Sequence, residues 1–442
     1  HKVARVRLMP SGSSYVASSE DFLTSSDPDF HPTDVIEDAD GSLIVVDTGG
    51  WFRNGCPTSQ LAKPDITGGL YRIRRANAPL VRDPRGQAIA WDTASDHQLT
   101  GYLSDQRFAV REKAKDWLAR RMAEAKGESP TARHLLSTWE QATTLQRREI
   151  LWTLTRAGWP IPTFAFEDSE ESVRHAAVVA LQDRPAPIAR DGLIKRLASD
   201  PSPAVKREAA TALGMLGHGS TAALLEAAGP SAGDRSLEHA VIYALIESAD
   251  WDGIHEGLAS DRSSIRRAAL LALDQIDPAR LERGEVVRLL DTSDQALLRT
   301  ALEVIGKRSG WSEGIIGLVQ PWLAEEKIDP ERGSMLRGIL LAFQREESVQ
   351  KLVGEALTKG STAPSIRQLL LDVAATSELI PLPASWIEGI RLALRDQDES
   401  IRQSGLGGVA RSAESFSAEL RMLMSNKSPL ALQAARLLAT LS

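Results

Sequence analysis

The sequence predicts a mainly α-helical chain: a solenoid of about eleven two-helix repeats, preceded by a small antiparallel β segment. Three observations carry this. A branched aliphatic followed by a base recurs through residues 100–442 at spacings near 32 residues or twice that. Small apolar residues follow each pair at helical spacing. Residues 1–92 alternate with a period of two instead.

The repeat begins with an aspartate. Asp105 leads to Val110-Arg111, Asp168 to Val173-Arg174, Asp200 to Val205-Lys206, Asp261 to Ile265-Arg266, Asp294 to Leu298-Arg299 and Asp396 to Ile401-Arg402. Leu336-Arg337 and Ile366-Arg367 keep the pair alone. Successive pairs are 63, 32, 60, 33, 38, 30 and 35 residues apart. Weaker copies near Leu145 to Arg148 and Leu237-Glu238 fill the two long gaps, and a last copy starts near Leu430. A period of about 32 suits a helical hairpin slightly shorter than a HEAT repeat. After the aliphatic, apolar residues recur at the fourth, seventh and eighth positions, as in Val205, Ala209, Ala212 and Leu213. They form one stripe, and its alanines permit close helix packing. The aspartate is expected to cap the following helix. The base beside the aliphatic leaves the stripe, either to join a carboxylate of the next repeat or to line a positive partner groove.

In residues 1–92 strand-like runs cover Val3 to Leu8, Ser14 to Ala17, Val35 to Glu37, Ser42 to Asp47 and Gly69 to Arg74. Asp40-Gly41 marks a tight hairpin, and Leu43 to Val46 reads as a strand buried on both faces. Four or five strands without a covering helix need neighbours, and the last blades of a β-propeller fit that need. The expected division is therefore 1–92, a partial propeller, and 93–442, the solenoid. The alternating run already starts at Lys2, which leads us to expect further chain before His1. A long loop, Gly49 to Thr67, carries Trp51, Arg53, Cys56, Gln60 and Lys63. With His31, Asp34 and Asp47 beside it, this loop is the candidate ligand- or partner-binding site; the other reading is a capping loop over the sheet edge. Trp117, Trp139, Trp152 and Trp159 are expected to fill the junction between the β segment and the solenoid.

Composition narrows the function. The net charge of -7 argues against general nucleic-acid binding, and no apolar run reaches the roughly 18 residues of a membrane span. The single cysteine excludes an intrachain disulfide and a CxxCH haem site. The eight histidines show no metal-ligand spacing, so no catalytic or metal-binding set is expected.

Residues Asp29 to Trp51, Cys56 to Leu61, Lys63-Pro64-Asp65 and Gly68 to Arg75 resemble the last propeller blade of the bacterial proteins termed membrane-bound dehydrogenase-like or PVC-type haem-binding. In that family a quinoprotein-dehydrogenase-like propeller precedes HEAT repeats and often a cytochrome c module. The resemblance is specific over residues 20–76. It implies a periplasmic or exported protein. It also implies upstream propeller blades and a cytochrome c module as partners, and quinone, calcium or haem c as cofactors of a longer parent, none of them held by this chain. The expected function is a protein-interaction scaffold, not catalytic by itself, with its partner on the concave face of the solenoid. The alternative is part of an exported quinoprotein-type sugar or alcohol dehydrogenase that passes electrons to a cytochrome c.

Overall fold

A computed structural model describes residues 2–49, 65–125, 128–231, 233–290, 292–308, 310–311, 313–409, 413–425 and 429–439. The chain forms two compact units, His1–Ile254 and His255–Ser442.

The first unit opens with a two-stranded antiparallel hairpin, β1 (Lys2–Ser11) and β2 (Ser14–Thr24), turning at Gly12-Ser13. β2 extends well past Ala17, because its residues through Thr24, apart from Phe22 at a bulge, find partners on β1. A three-stranded antiparallel sheet follows in the order β3 (Pro32–Glu37), β4 (Leu43–Asp47), β5 (Gly69–Ile73). Gly41 adopts φ 77° in the turn before β4, as the Asp-Gly signal required. The apolar run on β4 is only half covered. Val45 is buried, but Leu43, Ile44 and Val46 keep partial exposure.

From residue 96 the chain is helical, and the helices pair into hairpins. In the first unit α1 (Asp96–Tyr102) pairs with α2 (Phe108–Glu124), and α3 (Pro130–Ser137) with α4 (Thr144–Ala157). A short 3-10 turn, Thr163–Glu167, pairs with α5 (Glu171–Gln182). Then α6 (Arg190–Ser199) pairs with α7 (Pro203–Met215), and α8 (Thr221–Ala228) with α9 (Arg235–Ser248). α10 (Trp251–Glu256) crosses the boundary between the units. The second unit holds α11 (Ser263–Ile276), then α12 (Arg283–Arg288) with α13 (Gln295–Gly306), α14 (Glu313–Leu323) with α15 (Pro330–Ala342), and α16 (Glu347–Thr358) with α17 (Pro364–Thr376). It ends with α18 (Ala384–Leu394) and α19 (Glu399–Val409), then α20 (Ser417–Ser425) and α21 (Ala431–Ala439). Among the described residues this makes 21 α-helices in eleven successive hairpins, an α-solenoid of the HEAT type.

Second helices pack on second helices, as α5 on α7 and α7 on α9, or α15 on α17 and α17 on α19. The small-residue stripe sets their spacing. Val205, Ala209, Ala212 and Leu213 are all buried, and so are Ile265, Ala269, Ala272 and Leu273. Gly214 marks the closest approach: a Cβ there would lie 2.7 Å from the Cα of Ala244 on α9.

The repeat aspartates act differently from expectation. The N-cap of α7 is Ser202, whose hydroxyl accepts from Val205 N–H, and that of α5 is Glu170. Asp200 and Asp168 sit two residues earlier and accept the N–H of those cap residues at 2.9 Å each. Their remaining oxygens serve a ladder. Arg174 of α5 donates from Nε and Nη2 to the two Asp200 oxygens at 2.8 and 2.9 Å. Its Nη1 donates to the carbonyls of Asp168 and Ser169 at 2.9 and 3.1 Å. Arg147 of α4 reaches Asp168 at 2.9 Å, and in the second unit Arg367 of α17 reaches Asp396 at 2.8 Å. Each rung ties one repeat to the loop that starts the next helix. Asp294, Asp234 and Asp329 are true N-caps, each accepting from the N–H groups of its own helix. Of the four tryptophans, Trp117 lies on α2, Trp139 and Trp152 belong to the α3–α4 hairpin, and Trp159 follows it; Trp139 packs edge-on against Phe164. Trp91, ahead of α1, is buried: its indole donates to the Gly86 carbonyl at 2.7 Å, and Lys113 of α2 lies over its ring.

Two outcomes test this packing. Ala269→Leu should destabilise the protein by about 1–3 kcal/mol through overpacking, read as a lowered urea midpoint; an unchanged midpoint would place Ala269 outside the helix contact. Asp200→Ala should cost about 3–5 kcal/mol, because it leaves Arg174 buried without its partner. Burial pushes the Asp200 carboxyl up, but the Arg174 guanidinium, the Ser202 N–H and Arg196 outweigh it and hold the group below the ordinary carboxylate range. The stability it contributes is therefore complete above the unfolded carboxylate pKa and is lost as the pH falls below about 4. Wild type should lose stability over that window, and Asp200→Ala should lose less.

Candidate functional site

Of the residues singled out in the front segment, Trp51, Arg53, Cys56, Gln60 and Lys63 lie outside the described residues. The other three are placed. Asp47, at the end of β4, is buried, and one of its oxygens accepts the N–H groups of His31 and Gly49, each at 2.9 Å. His31 Nδ1 lies 2.8 Å from the Asp29 carbonyl, and the His31 carbonyl accepts from Thr48 N–H. His31 and Asp47 therefore meet through backbone bonds that tie the start of β3 to the end of β4. Asp34 is exposed, and its carboxylate accepts the Val35 N–H.

A cleft of about 1480 Å³ lies where the β3–β4 turn faces residues 79–82 and the α1–α2 turn. Most of its charges satisfy one another. Arg72 and Arg85 bind Asp38, Arg74 binds Asp40 at 2.6 Å, and Arg107 binds Asp105 at 2.8 Å. The Arg72 guanidinium, with the Ala39 N–H, holds the Asp38 carboxyl below the usual range. The lining contains neither histidine nor cysteine, and among the described residues no cluster of three or more His, Cys, Asp or Glu side chains could hold a metal. The cleft is a paired joint between the sheet and the first helical hairpin.

Two of the concave features of the solenoid lie on second helices. In the first unit a groove of about 400 Å³ runs between α7 and α9, lined by Arg207, Thr211, Arg235, Ser236, His239 and Tyr243. The tip of the β1–β2 hairpin contacts Arg207 of its lining and the neighbouring Asp234. Ser13 donates from its N–H and its hydroxyl to the two Asp234 oxygens at 2.6 and 2.7 Å, and Arg207 donates to the Ser13 carbonyl at 2.6 Å. Ser13 is 1 % exposed, while most of the hairpin is exposed. Gly12 permits this approach: at φ 57° it carries no Cβ, which would stand 2.5 Å from an Asp234 oxygen. Burial pushes Asp234 up, but the Ser13 hydroxyl and the Leu237 and Ser13 N–H groups bring it below the usual carboxylate range.

In the second unit a groove of about 630 Å³ lies between α13 and α15. These two helices are not among the close-packed pairs, unlike α11 and α13 or α15 and α17. Leu302, Ile339 and Phe343 form the apolar floor, Gly306 and Gly338 open it, and Glu303 and Glu331 stand on its rims. Neither glutamate has an ion-pair partner among the described residues.

Of the two readings open for the bases next to the aliphatics, Arg174 and Arg367 follow the first and join a carboxylate of the next repeat, while Arg299 lines the α13–α15 groove. Sequence reading missed the Ser13–Asp234–Arg207 contact, which joins residues 221 positions apart. It also missed the α13–α15 groove. The only signal for the groove was the run of small residues Ser334, Gly338 and Ala342 at every fourth position.

A family model described as HEAT repeats matches residues 163–246, the stretch from the Thr163–Glu167 turn through most of α9. Among curated proteins no match to the sequence is found. Among solved structures, an engineered protein is 16 % identical with a TM-score of 0.28, covering 72 % of this chain and 99 % of its own. Kap95p, solved in a study of its binding to RanGDP, is 10 % identical with a TM-score of 0.31, covering 82 % of this chain. The chain spans 56 % of that Kap95p chain. Kap95 in a complex with Nup1 gives 12 % identity and a TM-score of 0.31, with 82 % of this chain and 55 % of that one covered.

The hairpin contact makes a prediction of its own. Asp234→Ala should leave the Ser13 amide without its acceptor, and its hydrogen exchange should quicken by at least about tenfold. Unchanged exchange at Ser13 would mean that Asp234 does not hold the tip.

Proposed function

We propose that this chain is a protein-interaction scaffold, not catalytic by itself, whose second-helix layer receives segments of a partner. The α13–α15 groove supports this reading best. It combines an apolar floor, an opening made by glycines and two unpaired carboxylates on its rims. Those features suit an amphipathic partner helix that seats aliphatic side chains against Leu302, Ile339 and Phe343 and sets Lys or Arg beside Glu303 and Glu331. Among the described residues, Asp38, Asp40 and Asp105 of the large cleft are paired with arginines, and His31 and Asp47 are bonded to backbone. The resemblance of residues 20–76 makes dehydrogenase-like propeller blades and a cytochrome c module of an exported redox assembly the first partners to test.

Gly338 offers a direct test, because a side chain there meets nothing within 4 Å in the folded chain. Gly338→Trp should fill the groove, fold normally and lose the partner that wild type retains in affinity capture from cells that make it. If wild type and Gly338→Trp retain the same proteins with equal yield, the groove does not receive the partner.

A further inference from the structure

We propose that the outward face of α4, α5, α7 and α9 binds an extended acidic segment that carries a carboxylate at every third residue. This rests on the scaffold reading and names the partner chemistry of a second surface. The observation is one of register. The N-caps of these four helices are Thr143, Glu170, Ser202 and Asp234. Five residues after each cap stand Arg148, His175, Arg207 and His239. Three residues after each cap the side chain turns inward: Gln146 is half-buried, and Val173, Val205 and Leu237 are buried. The fifth position therefore points about 200° around the helix from the third, away from the first-helix layer. The same position holds Arg267 on α11 and Arg299 on α13 in the second unit. It is Glu112 on α2 and Ser334 on α15, so six successive second helices carry a base there and the helices on either side do not.

Arg148 and His239 are exposed and have no ion-pair partner among the described residues, and neither has Arg235 beside them. Arg207 is shared between Glu208 and the Ser13 carbonyl, and His175 stands 4.0 Å from Glu208. Arg207 and Gln182 engage Glu208, and Glu247 is hydrogen-bonded to Tyr243. Glu171 accepts from the Ser202 hydroxyl, and Asp234 is held by Ser13. Arg148 and Arg235 thus carry positive charge without an ion-pair partner among the described residues, on a chain whose net charge is -7, with the imidazoles of His175 and His239 in the same row. One turn further along the same helices, nine residues after each cap, lie Trp152, Val179, Thr211 and Tyr243. They give a mostly apolar shelf beside the charged row.

Geometry sets the repeat of the ligand. Packed helices stand about 8–10 Å apart. An extended chain advances about 3.1–3.4 Å per residue, so three residues span about 9–10 Å. A carboxylate at every third position meets one helix after another, and the residues between them rest on the shelf. The hairpin tip at Ser13 contacts Arg207 in the lining of the groove between α7 and α9.

The test uses the full chain and two fluorescein-labelled peptides of identical composition. One has Glu at every third position among Ser and Leu, and the other has its Glu residues clustered. Fluorescence anisotropy should show the spaced peptide binding at least about tenfold tighter, with affinity falling as salt rises. Arg148→Ala and Arg235→Ala, at exposed sites without partners, should each weaken the spaced peptide several-fold and leave the thermal melt unchanged. Equal affinity for the two peptides overturns the proposal, and so does binding that neither variant weakens. A single-stranded oligonucleotide of equal charge that binds tighter than the spaced peptide overturns it too, in favour of a nucleic-acid ligand. The α13–α15 groove is untouched in these variants. Loss of partner capture in Gly338→Trp, together with no preference for the spaced peptide, sinks this inference alone.

Discussion

The ion pair between Arg174 and Asp200 is the constraint on which the stacking of the first unit turns. A carboxylate and a guanidinium so deeply buried would destabilise the fold if either were left alone. Here each is used fully. Asp200 accepts two bonds from Arg174 and one from the backbone of Ser202, while Arg174 also holds the carbonyls that end the preceding loop. One pair thus sets the loop that starts α7, the offset between α5 and α7, and the orientation of the helix that carries them. The rung from Arg147 to Asp168 repeats the device one hairpin earlier, and Arg367 to Asp396 repeats it in the second unit. Hydrophobic burial along the alanine stripe drives the helices together, but it is tolerant of sliding. The ladder is directional and fixes the register.

Where the ladder stops, something else takes its place. The base after Val205 is Lys206, which turns back toward the Ala198 carbonyl and leaves the Asp234 carboxylate free of it. Ser13 fills that vacancy, and the neighbouring Arg207 secures the Ser13 carbonyl. A β-hairpin from the start of the chain therefore completes a helical repeat more than two hundred residues later. This explains how strands with little core of their own are held in the first unit: their anchorage is a few charge-assisted hydrogen bonds at the tip.

The same ladder decides which faces are open to partners. By drawing Arg147, Arg174 and Arg367 inward, it takes those bases away from the open surface. It also tolerates a looser seam. Between α13 and α15 small side chains and a wider spacing leave an apolar trough, and no covering element of the described chain lies in it.

By itself, the sequence determined the helical class, the repeat length, the buried stripe and the position of each second helix. These are local properties: periodicity and residue size along one helix repeat whatever the neighbours do. The weak copies near Leu145, Leu237 and Leu430 become α4, α9 and α21 for that reason. Which oxygen an aspartate offers, and to whom, was not local. Asp200 looked like a helix cap and is instead a rung, because the nearer Ser202 supplies the cap and Arg174 arrives from another repeat. Only the tertiary structure could place Ser13 on Asp234 or open the groove beside Gly338. Contacts between distant segments depend on how far each hairpin turns and how closely it packs on the next, and those small angles and distances accumulate from repeat to repeat without leaving a mark in any one of them.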